Sequence, residues 1–147
     1  MKTINKTICV LLFLMGAYRG LAQHIPINTF LKTVEEMAAF NVYETTCTVG
    51  YSNSSSSQYE RFKFLTQVNN EDLILLANSH ENPVVRLYAF QALKKRKIEI
   101  PQVLIEKFKN DASEVISFRG CIAENTTVNK LNNEIFLPLT TYKLVQQ

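Results

Sequence analysis

Residues 76–96 read LANSHENPVVRLYAFQALKKR, and this stretch decides the fold. Asn82-Pro83 is a strong helix start. An asparagine side chain can accept a free backbone N–H, and proline suits the first helical position, where its missing N–H costs nothing. Val84, Val85, Tyr88, Ala89, Ala92 and Leu93 then recur at three- and four-residue spacing, which gathers them on an inward face. Lys94-Lys95-Arg96-Lys97 puts cations at the negative end of the helix dipole. Upstream, Asn69 or Asn70 restarts the chain, Glu71 and Asp72 fill a first turn, and Leu73, Leu76 and Ala77 keep helical spacing.

Outward from this pair the pattern stays mostly helical. Phe30, Val34, Met37 and Asn41 share a face with Leu31 and Ala38 beside it, which predicts a helix near 29–42 capped by Asn28 or Thr29. Residues 46–57, TCTVGYSNSSSS, have no apolar period and read as a solvent loop. Ser57 to Glu60 reads as a capping box opening a helix with Tyr59, Phe62, Leu65 and Val68 inward. Pro101 opens another, with Val103, Leu104 and Phe108 inward, and Asp111 to Glu114 reads as an aspartate variant of the capping box. Val115, Ile116 and Phe118 suit either a helix or a short strand, and Gly120 weakens the helix. Thr127 can cap a last helix carrying Val128, Leu131 and Ile135, ended by Pro138.

Shifting the chain by 31 residues lays VVRLYAFQA (84–92) on VISFRGCIA (115–123), apolar on apolar and small on small. Helix pairs at such a period are the signature of an α-solenoid. The stretch 76–96 resembles a HEAT repeat of the short bacterial type. Asn82, Val85, Arg86, Ala89, Ala92 and Leu93 match its turn and close-packing positions, well over residues 70–97 and poorly over 101–124. In the second copy Ser117 replaces the arginine and Gly120 the alanine. The resemblance implies a binding scaffold, with Arg86 bonding locally across the turn between helices.

The amino terminus has the order of a secretory signal: Lys2 and Lys6, the apolar run Ile8 to Met15, then small residues at Gly20 and Ala22. The expected leader is 1–22 and the mature domain 23–147. Eight apolar residues are too few to span a bilayer, which needs about 20. Removing Lys2, Lys6 and Arg19 leaves 13 basic and 13 acidic residues, so the basic balance belongs to the leader. A neutral domain has no general attraction to nucleic acid or anionic lipid. Export would carry Cys47 and Cys121 into an oxidising compartment, where they are the disulfide candidate.

No constellation for chemistry stands out. His80-Glu81 begins like a zinc-peptidase motif, but no second histidine follows at the required spacing. Gly50-Tyr51-Ser52-Asn53-Ser54 lacks the last glycine of a nucleophile elbow. Glu35 and Glu36 are adjacent on a helix and diverge, and Lys94 to Lys97 reads as a solvated helix end. Asn53-Ser-Ser and Asn125-Thr-Thr match glycosylation sequons, which matter only in a eukaryotic host.

The sequence therefore predicts an all-α, HEAT-like short solenoid of antiparallel helix pairs with a less regular carboxyl end. No catalytic residue, metal ligand, cofactor or nucleic-acid partner is expected, and no membrane span after leader cleavage. The expected function is that of a periplasmic or secreted interaction module whose partner is another protein. A thiol-dependent enzyme or redox protein using Cys47 or Cys121 is the alternative.

Overall fold

The computed structural model describes residues 25–44, 48–49 and 54–133. The expected leader, Cys47 and the residues after 133 lie outside them. The chain order is α1 (Ile27–Phe40), β1 (Val42–Glu44), β2 (Thr48–Val49), β3 (Ser54–Ser55), α2 (Ser57–Leu65), α3 (Asn70–Ser79), α4 (Pro83–Lys95), α5 (Gln102–Asn110), β4 (Glu114–Arg119), β5 (Ile122–Thr127) and α6 (Val128–Asn133). The fold is mixed, not all-α. A three-stranded sheet of order β1-β4-β5 packs beside the helices, with β1 parallel to β4 and β4 antiparallel to β5. This corrects the all-α solenoid expected from the helical periodicity.

The helix starting at Pro83 is the axis of the domain. Asn82 caps it, accepting the N–H groups of Val84 at 2.9 Å and Val85 at 3.2 Å. Its side-chain N–H₂ also reaches back to Asn41 Oδ1 at 2.9 Å and to the Ala38 carbonyl. One amide thus serves the start of α4 and the end of α1, where Asn41 turns the chain in the left-handed region (φ 51°). The expected inward residues of α4 are all buried, and so are Leu87, Phe90 and Gln91. A helix apolar on every side is a core helix, and α1, α2, α3, α6, β1 and β4 all pack on it.

The second copy of the internal repeat is not helical. Residues 114–127 form a β-hairpin in which Arg119 faces Ile122 across the two-residue turn Gly120-Cys121. Gly120 sits at φ +61°, and Cys121 is not in the positive-φ region, the pattern of a II′ turn. Val115 and Ile116 are β-branched and stiff at χ1, which favours a pleated strand over a helix. Asp111 does not open a capping box either. Its carboxylate accepts the Ser113 N–H at 3.0 Å, an Asx turn that delivers the chain into β4.

Smaller expectations shift as well. The cap of α2 is Ser56, whose Oγ accepts the Tyr59 N–H at 2.9 Å, one residue before the serine expected. Ser56 is fully buried, and Thr48–Val49 pair with Ser54–Ser55, so the serine-rich stretch is not simply a solvent loop. Val103 is exposed, while Leu104 and Phe108 point inward and Phe108 stacks on Phe90 with centroids 4.0 Å apart. The basic end of α4 is mostly occupied by its neighbours. The Lys94 ammonium donates to the Asn132 carbonyl, Lys95 lies over the Phe62 ring, and Arg96 donates to the Val68 carbonyl.

Candidate functional site

Arg86 leaves α4 one turn after the Asn82 cap. Its guanidinium donates to the carbonyls of His80 and Glu81 at 3.0 and 2.8 Å, to Asp111 Oδ2 at 2.8 Å and to Ser113 Oγ at 3.0 Å. Burial opposes ionisation of Asp111, but hydrogen bonds from Ser113 and Arg86 outweigh it and hold the carboxyl below its ordinary value. Arg86 therefore joins the α3–α4 turn to the α5–β4 turn. The other motif residues, Asn82 apart, are packing groups: Val85, Ala89 and Leu93 are fully buried.

A second polar knot sits where β1 meets α2 and α4. The Tyr88 hydroxyl accepts the Glu44 backbone N–H at 2.7 Å and donates to the Glu44 carbonyl at 3.3 Å. The Ser56 hydroxyl donates to the Glu44 carboxylate. Burial raises the Glu44 carboxyl above its usual range, against the opposing pull of the Arg61 charge and of the Gln58 contact. Gln58 is itself buried, spans to the Val42 and Met37 carbonyls and receives Arg61. The Tyr88 hydroxyl and the Gln58 amide both bond the backbone of β1, which makes the knot a brace for β1.

The open surface lies on the sheet. Tyr43, Val115 and Ser117 face the helices and are buried. Alternation then turns Glu114 and Ile116 outward, with Thr127 and Asn125 beside them in register. Together with Asn41 and Lys130 they line an open groove of about 490 Å³. Its floor is Ile116, 44% exposed, and its rim carries one charge of each sign. Of these residues only Asn125 was singled out from the sequence as a site, for a glycosylation sequon and not as part of a binding surface. The signal that points to them is the period-two run on either side of Gly120-Cys121, which the helical reading of 115–123 obscured.

Cys121 carries a free thiol, exposed in the hairpin turn; its expected disulfide partner, Cys47, lies outside the described residues. Among the described residues no group of three or more His, Cys, Asp or Glu side chains could hold a metal, and no helix is long and apolar enough to cross a membrane. No family model matches the chain, and no curated protein matches it significantly.

Proposed function

We propose that the protein is a non-catalytic interaction module, exported to the periplasm or the medium, that engages another protein through the open face of its sheet. The observation that carries this reading is the groove over Ile116. It combines an exposed apolar floor with a polar rim of Asn41, Glu114, Asn125, Thr127 and Lys130. Rigid strands position every rim residue except Asn41 and Lys130, and an apolar centre within a polar rim is the usual anatomy of a recognition surface. The likeness of residues 70–97 to a HEAT repeat supports the same scaffold role, with α4 behind the sheet and α3 packed on α4. The test is cross-linking of the purified protein to envelope and culture-medium fractions, beside an Ile116→Glu variant. Partner capture that Ile116→Glu abolishes, with its circular dichroism unchanged, supports the reading. Capture that is indifferent to Ile116 overturns it.

A thiol-dependent activity is the second reading, favoured by the free and exposed sulfur of Cys121. It requires Cys121 to react faster than free cysteine with iodoacetamide. An ordinary rate, with full partner capture by Cys121→Ser, would remove it.

A further inference from the structure

The two edges of the sheet are guarded very differently. β1 is three residues long, and short edge strands are a common protection against pairing with other chains. β5 runs six residues, contains no lysine and no proline, and keeps continuous register with β4, so no bulge twists it away. Among the described residues nothing pairs with its outer side.

The register fixes which backbone groups look outward. Across a two-residue turn the closing pair Arg119–Ile122 is hydrogen-bonded, so Glu124 and Thr126 also bond to β4. Ala123 and Asn125 are left with their N–H and C=O groups directed away from the sheet, and Thr127 with its N–H, since its C=O caps the start of α6. This set is symmetric about Asn125. A two-fold axis there places Asn125 against its own copy, where the pair can exchange both bonds, and Ala123 against Thr127, where the Thr127 N–H can donate to the Ala123 carbonyl. The one charge on the strand, Glu124, then falls opposite Thr126 instead of a second glutamate, so no like charges oppose one another.

We propose that β5 pairs antiparallel with β5 of a second copy, with the two-fold axis at Asn125, to form a continuous six-stranded sheet. The pairing uses the edge of β5 and not the face over Ile116, so it stands or falls independently of the partner reading. It would place two such faces in one sheet and so let the dimer bind bivalently.

The test needs two readouts. Sedimentation equilibrium of the native protein over a concentration series is expected to give a monomer–dimer equilibrium. Asn125→Pro removes an N–H that β4 does not use, so this edge position tolerates it; the variant is expected to keep its circular dichroism and remain monomeric. Should that variant misfold, the second readout decides. In the proposed register the two Cys121 residues are offset by about eight positions, roughly 27 Å at the rise of a strand. Spin labels on Cys121, in a Cys47→Ser chain, are expected at about that separation. A protein monomeric throughout the series, a dimer unaffected by a folded Asn125→Pro, or Cys121 labels in near contact would each overturn the proposal.

Discussion

Arg86 and Asp111 lie 25 residues apart and meet in a 2.8 Å ion pair whose side chains are 12% and 9% exposed. Arg86 also holds both carbonyls of the α3–α4 turn, so removing it takes the donor from several acceptors at once, most of them part-buried. Removing one partner of a buried pair typically costs about 3–5 kcal/mol. Arg86→Met is expected to lower unfolding free energy by roughly 3 kcal/mol in urea titrations, with Asp111→Asn costing less because Ser113 remains. A double-mutant cycle that returns no coupling between the two would refute the clasp.

Tyr88→Phe isolates the brace on β1. The substitution keeps the ring, 4.8 Å from Tyr43 and 5.8 Å from Phe62, and removes only the hydroxyl. The Glu44 N–H then has no acceptor in a buried place, a loss of about 1–3 kcal/mol. Hydrogen exchange should show the Glu44 amide losing protection ahead of the core of α4, and equal protection in both proteins would contradict the assignment.

Glu44 and Asp111 pull stability in opposite directions with pH. The Asp111 carboxyl is held low, so its contribution is present above its unfolded value of about 4 and is lost as pH falls through the depressed folded value. The Glu44 carboxyl is raised, so its contribution is full below about 4 and is lost as pH rises through the raised folded value. Glu44→Gln is expected to raise the urea midpoint at pH 7 and to leave it nearly unchanged at pH 4. A variant less stable than the native chain at pH 7 would contradict this.

Gly120 is needed for its backbone and not for its size. An added Cβ would meet nothing within 4 Å, yet φ is +61°. Gly120→Ala should therefore cost about 1–2 kcal/mol from conformation alone. Gly120→Asn, which tolerates that region better, should recover part of the loss. Thermal melts of the two variants check the order.

The helices were legible wherever caps and spacing agreed, as at Asn82-Pro83 and at Asn69, whose side chain does accept the Asp72 N–H. What misled was the 31-residue repeat. Val115, Ile116 and Phe118 match Val84, Val85 and Leu87 in apolarity, but a strand and a helix can share apolar positions over so short a run. The arbiter was Gly120-Cys121, a two-residue turn flanked by alternating residues, which outweighs the match. The groove stayed hidden for the same reason, since its lining needs the strand alternation. The Glu44–Ser56 contact joins residues across a stretch without periodicity, and no local pattern announces it.

The parallel pairing of β1 with β4 has a kinetic consequence. Val42 finds Ile116 only after α2, α3, α4 and α5 have been threaded between them. Helices form from neighbours in sequence, whereas this pairing carries the loop-closure entropy of most of the domain. Until β4 is made, one flank of α4 has no sheet to cover it. A nascent chain released before about residue 120 would present that flank to chaperones or to other chains.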